Sequence, residues 1–161
     1  MSIQVGSARA TLANKSANCG RLEIREECVI TGDIDTLWRI VSNVNAWPTW
    51  DPHQKATELH GAFVVGAIGT SKRRGRPSAQ WTLTKVERKK GWALKMQILI
   101  GTIEKEIRYT PLPGGKIHCD DTMFVSGPLR FLFWLCFERM TRRNMQGTWA
   151  KLEKEIEKRQ V

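Results

Sequence analysis

Between Thr102 and Ser126 the chain reads TIEKEIRYTPLPGGKIHCDDTMFVS, two alternating runs joined by a turn of proline and glycine. A hairpin centred on Pro113 sets Tyr109 opposite Ile117, Ile107 opposite Cys119 and Ile103 opposite Met123, and each of these three pairs is apolar. The same register sets Lys105 opposite Asp121 on the face that those neighbours mark as buried. A lone buried charge is costly and an opposite charge across the strand offsets much of that cost, so the two are expected as a pair. A slip of one residue would turn both outward.

The preceding segments carry the same period of two. From Leu22 to Thr31, residues Leu22, Ile24, Cys28 and Ile30 share one face and Glu23, Arg25 and Glu27 the other, with Glu26 on the apolar side. Thr31, Gly32 and Asp33 then supply a turn and an N-cap, and Ile34, Leu37, Trp38, Val41 and Val44 recur at helical spacing. That helix is expected to stop before Asn45, with a short helical or turn element over Asn45 to Pro52, because Pro48 disfavours continued helix before it. Strand-like runs follow at about 53–60, 67–72, 78–87, 92–100, 102–110 and 116–126, separated by glycine and short connections that favour hairpins. In 78–87, Trp81 and Leu83 oppose Thr82, Thr84 and Val86, which blurs the inward face.

After Gly127 and Pro128, Leu129, Leu132, Phe133, Cys136, Met140, Met145, Trp149, Leu152 and Ile156 describe one helix of roughly thirty residues with an apolar stripe. Its first stretch, Leu129 to Phe137, reads as the start of a buried helix. The expected fold is α+β: a curved antiparallel sheet of about seven strands wrapped around a long C-terminal helix, with two short helices after the first strand.

The 161 residues suit one domain over 21–161, preceded by a disordered lead-in over 1–20. With 41% hydrophobic and 26% charged residues the composition is that of a globular protein, and no run approaches the ~20 apolar residues of a membrane span. No signal-peptide pattern precedes the first strand, so a cytoplasmic location is expected. Cys19, Cys28, Cys119 and Cys136 show no CxxC spacing and fit free thiols, mostly buried. The net charge of +10 gathers in Lys72 to Arg76, Arg88 to Lys90, Arg139 to Arg143 and the last helix. It reads either as a solubilising surface or as a footprint for an anionic partner.

His53 and His60 point to opposite faces of a regular strand and His118 has the opposite parity to Asp121, so no metal site is expected. Nucleotide-loop, dinucleotide and serine-hydrolase signatures are missing, and no cofactor is expected. The tryptophans fall within apolar patterns that suit a core or pocket wall better than base stacking, which argues against nucleic acid.

The segments DTLWRIVSN (35–43), AWPTWDP (46–52) and LHGAFVVGAIG (59–69), the Pro113 to Lys116 turn and SGPL (126–129) resemble, in order, the polyketide cyclase/dehydrase branch of the START-like (SRPBCC) superfamily. The resemblance runs from about Leu22 to the C-terminus and implies a helix-grip fold with a cavity between sheet and C-terminal helix. It also implies an apolar ligand such as a lipid or polyketide, with no universal catalytic residue to carry over. The chain departs from the family's pattern in its basic loop, Lys72 to Arg76, and at Asp121.

On this reading the protein binds or carries a hydrophobic small molecule, as a monomer or homodimer. Trp47, Trp50, Trp81, Met96, Met123, Phe133, Phe137 and Met140 are candidate walls, and Glu26, Lys105 and Asp121 candidate polar handles. The competing structural reading makes the apolar residues plain core, Lys105 and Asp121 a satisfied pair, and Glu26 a cap on a backbone amide. A cyclase would instead use Asp121 or Glu26 as general base with Lys105 steadying an enolate. A third reading places the protein in peripheral contact with anionic membranes through Lys72 to Arg76 and Arg139 to Arg143.

Overall fold

The computed structural model describes residues 20–99, 101–128 and 130–160, so the expected lead-in lies, apart from Gly20, outside the described residues. The first strand, β1, spans Arg21–Thr31 with Ile24 and Ile30 fully buried on its even face. Asp33 caps α1 (Ile34–Ser42) by accepting the Thr36 N–H at 2.8 Å, a bond that holds its carboxyl below the usual range. A 3-10 turn over Val44–Ala46 leads into α2 (Trp47–Trp50), where Pro48 sits in the first turn and gives up no helical hydrogen bond.

Six strands follow: β2 (Gln54–Leu59), β3 (Ile68–Arg73), β4 (Ser78–Glu87), β5 (Gly91–Ile98), β6 (Gly101–Leu112) and β7 (Lys116–Ser126). The chain closes with α3 (Arg130–Gln160). The sheet is antiparallel throughout, in the order β1-β7-β6-β5-β4-β3-β2. From β2 to β7 each strand pairs with the next, and β1 completes the far edge beside β7.

The β6–β7 register differs from the expected one. Tyr109 faces Cys119, Ile107 faces Asp121, Lys105 faces Met123 and Ile103 faces Val125, which centres the hairpin on Gly114 rather than Pro113. The cause is backbone geometry: the apex needs left-handed conformations, held by Gly114 and Gly115 at φ 76° and 66°, which proline cannot adopt. Because the shift is an even number of residues, every side chain keeps its face.

In β4 the register breaks between Leu83 and Lys85. This bulge changes the strand's phase, so Val86 joins Trp81 and Leu83 on the inward side, which explains the blurred alternation there.

Aromatic rings fill the concave side. Trp47 stacks on Trp81 with centroids 6.0 Å apart and tilts against Trp92 at 5.6 Å, while Phe63, from the β2–β3 loop, stands edge-on to both Trp92 and Trp38. The indole N–H groups of Trp47, Trp81 and Trp92 donate to Val41 O, Ser71 Oγ and Tyr109 Oη. Burial of the Tyr109 hydroxyl holds it well above its ordinary pKa.

Helix α3 covers this face unevenly. Met145, Trp149, Leu152 and Ile156 are buried, and Phe133 packs with Ile24, Ile103, Val125 and Met145. The expectation of a buried first stretch, Leu129 to Phe137, fails: Phe131, Leu132, Trp134, Leu135 and Phe137 are exposed, as is Cys136. Apolar residues surround the helix in its first turns, and only the Phe133 side meets the sheet. Leu129 lies outside the described residues.

Gly69 lies directly beneath the Trp81 ring, which a side chain at that position would meet. Gly69→Ala is therefore expected to cost about 1–3 kcal/mol by overpacking, read as a lower urea midpoint. A neutral result would mean that the ring has room to move.

Candidate functional site

The inward face places two carboxylates opposite each other, because Glu26 of β1 pairs in register with Asp121 of β7. Like charges so placed need separate cations. Asp121, 2% exposed, takes Lys105 from the neighbouring strand, Nζ to Oδ2 at 3.1 Å. Glu26 takes α3: Arg142 donates to Oε1 at 2.7 Å and Gln146 to Oε2 at 3.1 Å. Glu26 is thus held by helix side chains, not bonded to a backbone amide as the structural reading had it. Arg142 also donates to Arg25 O and to Glu138; burial would lower its pKa, but its bonds to Glu26 and Glu138 outweigh that and hold it above the ordinary guanidinium value.

Burial pushes the Asp121 carboxyl above its usual range, an effect that Lys105 partly offsets and that Asp120 and Glu26 reinforce. Only one of its oxygens meets Lys105. Oδ1 is buried and has no partner among the described residues.

Four further buried polar atoms share that condition: Trp149 Nε1, Trp50 Nε1, Arg73 Nε and Gln54 Oε1. Arg73 and Gln54 face each other across β2 and β3. Burial lowers the Arg73 pKa against the opposing charges of Asp51 and Asp121. Trp149 stands edge-on to Tyr109, the next inward residue of β6 after Ile107, which itself pairs with Asp121. The five atoms thus come from α2, β2, β3, β7 and α3. Each unbonded atom carries a desolvation cost of about 1–3 kcal/mol that no hydrogen bond from a described residue offsets.

The residues proposed from sequence fall into four groups. Glu26, Lys105 and Asp121 come together beneath α3, with Met96 and Met123 beside them on the inward face. Trp47, Trp81 and Phe133 are core, and Phe137 and Met140 lie exposed on α3. Trp50 is half-buried with its indole N–H unbonded. Sequence reasoning missed Trp149, Gln54 and Arg73. For Arg73 a signal existed: Gly69, Ser71 and Arg73 alternate, and the small residues mark the side that Trp81 fills.

A cleft of about 340 Å³ opens beside this interior, lined by Ser42 to Asn45 together with Leu59, Gly61, Ala62 and Phe63. Phe63 separates it from Trp92. Among the described residues no helix is long and apolar enough to cross a membrane.

A curved sheet closed by a long helix, with polar groups buried beneath it, is the helix-grip arrangement of START-like proteins. A family profile described as polyketide cyclase/dehydrase and lipid transport matches residues 21–157, and the chain belongs to that family. A search of curated protein sequences returns no match.

Among solved structures, the aromatase/cyclase Zhui from a Streptomyces species superposes with a TM-score of 0.70 at 14% identity, over 88% of this chain and 96% of that one. A START superfamily protein from Mycobacterium smegmatis gives 0.68 at 13%, over 84% and 97%. The di-domain aromatase/cyclase StfQ of steffimycin biosynthesis gives 0.70 at 12%, over 87% of this chain but only 52% of its own. At such identities the likeness is one of fold.

Lys105→Met would leave Asp121 buried without its cation, at an expected cost of roughly 3 kcal/mol at pH 7.5. The native state takes up a proton on Asp121 before the unfolded chain does, so the loss should shrink as pH falls towards 5, and Asp121→Asn in the same chain should recover most of it. Urea unfolding at the two pH values checks this; equal losses at both would refute it.

Proposed function

We propose that the chain binds a small, largely apolar molecule beneath α3 and orients it by a polar end. The observation that carries this reading is the set of buried, unpartnered groups: a carboxylate oxygen on Asp121, indole donors on Trp50 and Trp149, the Arg73 Nε and the Gln54 carbonyl. A solid core would have left such positions apolar or paired them. A guest with oxygen functions at one end meets the three donors and presents a hydroxyl or enolisable position to Asp121. Burial of its apolar body supplies affinity, at about 25 cal/mol per Å² before association costs. The tryptophans divide accordingly: Trp47, Trp81 and Trp92, whose N–H groups are bonded, frame the site, and Trp50 and Trp149 touch the guest.

Family membership supports an apolar ligand, and two of the superposed structures are aromatase/cyclases. The second reading, a cyclase, is favoured by the raised pKa of Asp121. As general base it would remove an acidic proton from a bound polyketone, with Lys105 steadying the enolate oxygen.

Native mass spectrometry of protein from its own host, followed by organic extraction, should reveal a retained apolar molecule with oxygen at one end; protein emptied of any guest under mild conditions would count against binding. Asp121→Asn separates the two readings. In a cyclase it should lower turnover by about 10²- to 10⁴-fold with affinity largely intact. In a carrier, wild-type protein turns nothing over and the same variant loses affinity.

A further inference from the structure

Phe131, Leu132, Trp134 and Leu135, in the first turns of α3, are 66%, 45%, 44% and 65% exposed. Leu99, at the tip of the β5–β6 hairpin, is fully exposed. The two features adjoin, because Gly101 abuts the backbone of Ser126 and Gly127, which lead into α3. Large apolar side chains are usually scattered singly over a surface, and a cluster at one end marks a contact face.

The rim of this cluster is basic. Arg130, Arg139 and Arg143 are exposed along α3. Arg76 lies over the Phe137 ring, 5.3 Å from its centroid, which brings the tip of the β3–β4 hairpin, with Arg74, to the same end. Acids are nearly missing here: Gly61 to Val86 contains no Asp or Glu, and Thr122 to Leu152 only Glu138, which Arg142 holds. Glu23, Glu27, Glu104, Glu106 and Asp120 sit instead on the sheet face turned away from α3.

From this arrangement we infer that the Leu99 tip and the first turns of α3 form a docking surface for an anionic lipid bilayer. Phe131, Trp134, Leu135 and Leu99 enter the boundary between headgroups and acyl chains, and Arg74, Arg76, Arg130, Arg139 and Arg143 rest on the anionic headgroups. A second copy of the chain fits less well, since it would set one arginine rim against another. Nucleic acid has no use for exposed Leu99, Leu132 and Leu135, which offer nothing to stack on a base. The surface does not depend on what the interior binds.

The test is co-sedimentation with vesicles of phosphatidylcholine containing about 30% phosphatidylserine, against pure phosphatidylcholine, at ~0.05 and ~0.5 M NaCl. Binding should require the anionic lipid and weaken with salt. Two double variants, Phe131→Glu with Leu135→Glu and Arg74→Glu with Arg76→Glu, should each lower affinity by roughly tenfold or more. Both alter exposed side chains, and unchanged urea midpoints would confirm their folding. Wild-type binding that ignores lipid charge, or variants that are folded and still bind normally, would overturn the inference. So would a Phe131→Glu/Leu135→Glu variant that changes only the oligomeric state in sedimentation equilibrium, which would assign the face to a second copy.

Discussion

Two carboxylates face each other across β1 and β7, and much of the architecture answers that constraint. Asp121 is neutralised from within the sheet by Lys105, whereas Glu26 is neutralised from outside it by Arg142 and Gln146 of α3. Apolar packing along Met145, Trp149, Leu152 and Ile156 is non-directional and would tolerate some sliding of the helix. The Glu26 bonds are directional and set where along the strand the helix stops. The electrostatic problem created by Glu26 is therefore also the device that positions Trp149 over the interior.

That positioning gives the buried surface two characters. On one part it is a floor of aromatic rings in which the indole N–H groups of Trp47, Trp81 and Trp92 are bonded within the protein. Elsewhere, buried donors and acceptors from five elements find no hydrogen-bond partner among the described residues. Evolution removes such groups from a core that has no use for them, since each lowers stability. Their presence in this chain is coherent with hydrogen-bonding capacity left for something it binds.

Much of this was legible in the amino-acid order. Alternation identified β1, β6 and β7 and put Glu26, Lys105 and Asp121 on one face, because period-two patterning survives any error of even length. The hairpin centre was misplaced because proline draws attention as a turn former, while the conformational demand at the apex falls on the glycines. The start of α3 could not be oriented from FLFWLCF, since a helix apolar on all sides carries no periodic signal about which side is covered. Arg73 was hidden inside a basic run whose neighbours are solvated. Which indole N–H groups are bonded depends on how the fold brings Val41, Ser71 and Tyr109 to them, and period-two or helical patterning does not encode it.

The bulge in β4 has a consequence for folding fidelity. In β6 and β7 the alternation is uniform, so a slip of two residues would keep every side chain on its face, the inward Lys105 and Asp121 included. Such a strand has several nearly equivalent ways to pair. β4 changes phase midway, and sliding it by two past β5 would push Thr84 or Lys85 towards the aromatic floor. The irregular strand thus works as a detent in the middle of a meander whose smoother members could otherwise settle one notch away.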